Sequence, residues 1–241
     1  MSEAGFEITD RSRVMRQPIR GAYDEASVFA ILDATLIAHV GYVIDGQPFV
    51  TPTAFWRDGR KLYWHGAVAA RMLNSLADGA PACVTVSLLD GLVLAPSGFK
   101  HSINYRSVMA FGRARLIADP QTKRVALDRF IERLYPGRAA TLRPATDLEL
   151  AKTAVIEMRI EEAAAKVRND GVMAIPEDIG WPAWAGVLPI ETRIGRPTAD
   201  VRLGAVAMGL ATPAPYAEGD GLDARLAEAM ALEIDRAIES V

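Results

Sequence analysis

Two Asp-Gly dipeptides, Asp45-Gly46 and Asp58-Gly59, constrain this chain more than any other feature. A two-residue turn that tolerates positive φ matches the twist of paired antiparallel strands, so each dipeptide marks a hairpin. The segments around them read as strands: 36–44, 47–56 and 61–65, three strands in meander before residue 66. Pro52 cannot donate to a ladder, so it predicts an edge or a bulge where the backbone is free to meet something else. Alternation places Phe49, Thr51, Thr53 and Phe55 on one face of the second strand, and Val50, Pro52, Ala54 and Trp56 on the other. The threonine and aromatic face suits a flat ring, or simply lines a barrel.

A helix over 23–33 precedes the meander, with Asp24 and Glu25 at its positive end and Val28, Ile31 and Leu32 on one stripe. Beyond it, Gly66 is expected to break the third strand and a helix to run over 67–77, stopped by Asp78-Gly79. Strands follow at 82–89, 91–95 and 106–117. Asp119-Pro120 caps a helix reaching Leu134, and 153–160 alternates as a further strand. The stretch 169–219 is rich in proline and loop. A last helix over 222–238 sets Leu222, Leu226, Met230, Ile234 and Ile238 at steps of four, for packing onto the body or for an oligomer contact. Six or more strands with few helices indicate a mainly β fold, a barrel with helical additions. The missing strand–helix–strand rhythm and the missing GxGxxG argue against a Rossmann domain.

Composition narrows the function. With 27 basic and 30 acidic side chains among 241 residues the net charge is −3, too little to draw in nucleic acid or an anionic membrane. Half the residues are hydrophobic and 24% are charged, as in soluble globular proteins. The N-terminal residues hold no apolar signal segment, and no run of about 18 apolar residues occurs, so the expectation is a cytoplasmic protein without a membrane span. Cys83 is the single cysteine, which excludes an internal disulfide; its alternating apolar strand makes it a core residue rather than a nucleophile. His39, His65 and His101 are too scattered for a zinc site, and neither a G-x-S-x-G elbow nor a P-loop is present. The acid pairs Glu161-Glu162 and Glu177-Asp178 are expected to face solvent.

Three segments could carry chemistry. Where strand 61–65 passes through His65-Gly66 into a helix, Gly66 allows close backbone approach, and Arg71, one turn in, can clamp a phosphate. A plain turn with a solvated arginine fits the same residues. The stretch 100–107 (KHSINYRS) is rich in donors and suits a polar heterocycle or a phosphate, or else a hydrated loop. Trp181 and Trp184 could cover a ligand or anchor a loop.

The order of several short segments resembles the pyridoxamine 5'-phosphate oxidase-like split-barrel flavoproteins, in particular the flavin-nucleotide-binding and nitroimidazole-resistance-like subgroup. These segments are RGAYD (20–24), AHVGYVIDGQPFVTPTAF (38–55), LYWHG (62–66), ARML (70–73), SINYRSVMAFGRA (102–114), PGR (136–138), KVR (166–168) and WAGVLP (184–189). The resemblance implies a six-stranded split β-barrel, usually a homodimer, with FMN at the subunit interface. It places Val50, Thr51, Pro52 and Thr53 along the isoalloxazine edge, and His65 and Gly66 beside the flavin and its phosphate. It gives Arg71 and Met72 to the phosphate, Asn104, Tyr105, Arg106 and Ser107 to polar contacts, and Trp184 to the cofactor, reached from the partner subunit. The domains it suggests are a helical arm over 1–35, the FMN-binding barrel over 36–197 and an extension over 198–241.

The sequence also departs from these relatives. Ala70 stands where serine is common, and Pro96 and Lys100 stand where arginine and histidine are common, which bears on how tightly FMN binds. No segment resembles the substrate-phosphate arginines of true pyridoxamine phosphate oxidases, so vitamin B6 oxidation is not expected. The leading expectation is an FMN-dependent oxidoreductase passing electrons from NAD(P)H or a similar donor to a small acceptor, with the chemistry carried by the flavin. A non-catalytic flavin- or haem-binding module and a structural dimer with an empty groove remain open beside it.

Overall fold

Both hairpins form, the first turning at Asp45-Gly46 and the second at Gly59-Arg60, with Asp58 still paired to Lys61. In the computed structural model, which describes residues 4–200, 202 and 216–239 (side chains of the last helix to residue 231), Asp45 and Gly46 take φ of 50° and 78°, and Gly59 takes 54°. A short strand β1 (Gly21–Ala22) and helix α1 (Glu25–Asp33) lead into the meander β2 (Ile37–Ile44), β3 (Gln47–Asp58) and β4 (Lys61–Ala67). Helix α2 (Arg71–Ser75), the long hairpin β5 (Asp78–Leu94) and β6 (Ser102–Leu116), and helix α3 (Pro120–Leu134) follow. Helix α4 (Asp147–Lys152), β7 (Thr153–Arg159), β8 (Glu162–Arg168), β9 (Gly186–Pro189) and α5 (Leu222–Glu239) complete the described chain.

Six strands close a ring in the order β2–β3–β4–β7–β6–β5, with β5 returning to β2 through His39↔Thr85 and Gly41↔Cys83. The chain is therefore mainly β, a split barrel with added helices. Strand β6 makes the split: residues 105–111 pair with β8 and residues 114–116 with β7. The parting falls at Gly112, where a Cβ would be driven into the Arg159 carbonyl oxygen and lie 2.9 Å from Met158 Cγ. Only glycine lets the three strands pass so closely.

The barrel interior is filled by side chains such as Val40, Phe55, Trp64, Val86, Val108 and Ile156. Each fully buried large apolar side chain contributes about 1.5–3 kcal/mol. Val28, Ile31 and Leu32 of α1 belong to the same core, so residues 25–33 close the barrel. A second cluster lies outside it, where Trp56, Tyr63 and Val155 meet Ala126, Leu127 and Phe130 of α3. In α5, Leu226 and Met230 are buried and the helix packs on α1 and α3. Arg133 ties the three together by donating to the carbonyls of Leu226 and Asp33. The apolar stripe of the last helix thus packs onto the body over its first half; the side chains of Ile234 and Ile238 lie outside the described residues. Among the described residues no helix is long and apolar enough to cross a membrane.

Several expectations need correction. Strand β4 does not stop at Gly66: Gly66 and Ala67 pair with Ala154 and Thr153, which delays α2 to Arg71. Arg71 is therefore the first residue of a short helix rather than one turn into a long one. Asp78-Gly79 opens β5, and the two runs 82–89 and 91–95 are one strand with an irregularity between Leu89 and Gly91. Strand β8 went unforeseen because Ala163, Ala164 and Ala165 have low strand propensity; pairing with β6 overrides it. Cys83 is not in the core: Ala82, Val84 and Val86 point inward, which turns Cys83 outward, half-buried beside Thr85. Glu162 does not simply face solvent, since it accepts from Thr9 and Arg11, and Asp178 is buried, accepting from the Ile175 N–H at 3.1 Å.

Candidate functional site

Strand β3 is paired with β2 over residues 47–54, but β4 reaches only residues 55–58, so the rest of β3 has one free edge. The Phe55 N–H bonds the Leu36 carbonyl at 3.1 Å. Antiparallel alternation then turns the backbone groups of Pro48, Val50, Pro52 and Ala54 toward that free edge. The two prolines sit where a missing N–H costs the ladder nothing. The edge offers four carbonyls and the N–H groups of Val50 and Ala54. Val50 and Pro52 are exposed, Thr51 shares a hydrogen bond with the Tyr42 hydroxyl at 3.1 Å, and the Thr53 hydroxyl donates to the Ala54 carbonyl.

Arg71 joins this strand. Its guanidinium lies 4.3 Å over the Phe49 ring and has no carboxylate partner among the described residues. It is exposed, while Met72 behind it is buried. The flanking Ala70 supplies no side-chain cap. An arginine held by a ring face and free at its fork is suited to receive an anion.

His65 does not share that corner. Leu62, Trp64 and Gly66 face the barrel, with Gly66 against Leu73 of α2, so His65 points to the opposite side of β4. Its ring packs between Trp56 (centroids 5.9 Å apart) and Phe130 (4.8 Å). It lines a cavity of about 710 Å³ walled by α3, the segment 139–145 and α4. Leu127, Phe130, Ile131, Leu142 and Leu150 make the walls apolar; Arg124, Asp128, Arg143 and Glu149 bring charge. His65 makes no hydrogen bond among the described residues, and its Nδ1 is shut off from solvent without a partner. Burial holds the imidazole below its ordinary pKa, favouring the neutral form.

The polar opening of β6 is largely spent internally. Asn104 is buried, donating to the Asp170 carbonyl and accepting from Arg168. Arg106 pairs with Asp90 at 2.8 Å and with Asp223 at 3.2 Å, and the Ser107 hydroxyl donates to the Lys166 carbonyl. Tyr105 is half-exposed on the outer face. Trp184 is 63% exposed with its ring laid over Gly186, where a Cβ would lie 2.7 Å from it. Of the residues that sequence reasoning gathered into one site, the structure brings the β3 edge and Arg71 together, turns His65 into a separate cavity and engages Asn104, Arg106 and Ser107 internally. That reasoning missed the cavity, whose walls come from three segments that each read as ordinary amphipathic or loop sequence.

A comparison with protein-family models matches residues 24–167 to the family described as Pyridoxamine 5'-phosphate oxidase. Among solved structures, the flavocytochrome Anf3 from Azotobacter vinelandii is 43% identical, with a TM-score of 0.79 over 88% of this chain and 96% of that one. The FAD and haem binding protein from Mycobacterium smegmatis is 35% identical, with a TM-score of 0.78 over 84% and 98%. A candidate 5-nitroimidazole antibiotic resistance protein from Bacteroides thetaiotaomicron shares the fold at 24% identity and a TM-score of 0.50, over 61% and 86%. No curated protein matches. With six strands closed as a split barrel, and with the matched segment running from the start of α1 to the end of β8, this chain belongs to the pyridoxamine 5'-phosphate oxidase family.

Proposed function

We propose that this protein is a flavin-binding redox module that works as a homodimer. The observation that carries the reading is Arg71: a guanidinium without a carboxylate partner among the described residues, held over Phe49 at the free edge of β3. A flavin nucleotide presents a phosphate to such a cation and a polar ring edge to such a strand. FMN supplies both, and FAD supplies both with a longer tail. The flavin, when bound, carries the electrons; the chain's residues bind and orient it. The donor is NAD(P)H or a comparable reductant and the acceptor a small molecule. Membership of the family does not bring vitamin B6 oxidation with it, because the substrate-phosphate arginines are not found in this sequence.

The outer sheet face supports the homodimer. Register brings Val50, Gly41, Cys83 and Phe111 into one row and Pro52, His39, Thr85 and Met109 into the next. Val50 is 68% exposed and Met109 47%, and Ile37, Val43, Leu89 and Ile103 are exposed with them. Exposed apolar side chains grouped on one sheet face favour an interaction face. A second copy would also cover the β3 edge and close the flavin groove.

Titration with FMN and with FAD tests the reading. Arg71→Ala should weaken the preferred flavin by about 2 kcal/mol through loss of a charge-assisted contact. An unchanged dissociation constant removes Arg71 from the site. A second reading, in which haem accompanies the flavin, is favoured by two relatives at 43% and 35% identity, a flavocytochrome and a protein binding FAD and haem.

A further inference from the structure

We propose that the cavity outside β4 is the haem site and that His65 is the axial ligand; the inference rests on the reading in which haem accompanies the flavin. Among the described residues no three His, Cys, Asp or Glu side chains converge, so a bare metal ion has no set of protein donors. An iron that arrives already held by four porphyrin nitrogens needs only one imidazole. His39 is exposed on the outer sheet face and His101 bonds the Ser97 carbonyl at 3.0 Å. His65 lines a cavity, and it makes no hydrogen bond among the described residues.

The walls fit the same ligand. A volume of about 710 Å³ lies within the range of about 300–1,000 Å³ typical of small-molecule and cofactor sites. Leu127, Phe130, Ile131, Leu142 and Leu150 match an apolar macrocycle. An isoalloxazine would leave its ring nitrogens and carbonyls facing hydrocarbon there, which is costly. Two arginines, Arg124 and Arg143, complement two propionates. Arg124 is loosely partnered, 3.9 Å from a fully exposed Asp147, while Arg143 pairs with Glu149 at 2.5 Å but is 68% exposed, so a propionate there would replace a carboxylate at the rim. Metal-bound histidines usually fix their second nitrogen by a hydrogen bond. Here Nδ1 has no partner among the described residues, and Trp56 and Phe130 set the ring by packing instead.

The test titrates haemin into the full-length protein, followed by the Soret band, beside a flavin titration of the same samples. Wild type should bind one haemin per chain with a histidine-ligated spectrum. His65→Ala should bind at least about tenfold more weakly, with the spectrum restored by added imidazole and flavin affinity unchanged. Leu142→Trp, at an exposed wall position, should block haemin while keeping the wild-type circular dichroism, and it carries the test if His65→Ala fails to fold. Equal haemin affinity and spectrum in wild type and His65→Ala overturn the assignment. So does a wild type that takes flavin but no haemin, which leaves the flavin reading standing. A protein that takes haemin through His65 but no flavin sinks the flavin reading and keeps this one.

Discussion

The two sides of β4 hold different kinds of site. On one side the cavity at His65 is walled by α3, the segment 139–145 and α4 of a single chain, and it needs no second copy to exist. On the other, the Arg71 corner is an open strand edge with a cation beside it, and nothing among the described residues covers it. The difference teaches that one short stretch, 64–71, can face two places: alternation turns His65 out of the barrel, and the chain leaving β4 starts α2 with Arg71 over Phe49. It also predicts that the two sites respond differently when the barrel or the dimer is disturbed.

The barrel is common to both, so breaking its closure should abolish the contrast. Gly112→Ala forces a methyl group onto the Arg159 carbonyl, where backbone must move rather than a side chain. The expected loss is about 3 kcal/mol, seen as a lower urea midpoint together with weaker binding of flavin and haemin alike. A substitution that leaves the urea midpoint unchanged would show that β6 and the β7–β8 turn can separate without cost.

The proposed homodimer, by contrast, should matter to one site only. Met109→Glu places a charge on the exposed face opposite Thr85 and, by two-fold symmetry, in both copies. Burying unpaired carboxylates is costly, so sedimentation should show monomers. Flavin affinity should then fall by at least about tenfold, or 1.4 kcal/mol, while haemin binding stays as in wild type. A monomer that keeps its full flavin affinity would mean the corner is complete in one chain and the comparison is wrong.

Much of the fold was legible because its signals are local. The Asp-Gly turns, the Asp119 cap with its 2.7 Å bond to the Thr122 N–H, and the alternation of β3 each depend on residues a few positions apart. Arg71 was legible as an anion candidate for the same reason. The rest depends on partners distant in sequence. Gly66 reads as a breaker until β7, almost ninety residues later, pairs with it. Asn104 and Arg106 read as ligand donors until Arg168, Asp90 and Asp223 occupy them. The cavity at His65 has no linear signature, since only tertiary packing brings Arg124, Leu142 and Leu150 around one histidine.

The smallest expected effect concerns the far wall of that cavity. Glu149 caps α4 reciprocally with Thr146 and pairs with Arg143. Donation from Arg143, then from the Thr146 backbone and hydroxyl, holds its carboxyl well below the usual range, at about 2. Because the folded value is depressed, the stabilisation is fully present above the unfolded value of 4.5 and is lost as pH falls through about 2. The group is solvent-exposed, so the loss is local: fraying of α4 and of the segment beside Arg143, not global unfolding. Carboxyl chemical shifts followed against pH should give Glu149 a midpoint near 2 in wild type, and Arg143→Ala should move it upward toward 4.5. A wild-type midpoint already near 4.5 would mean that Arg143 is not held by Glu149 in solution. Its fork would then be free at the rim, which would strengthen the contrast with the Arg71 corner by giving each site an arginine available for its own anion.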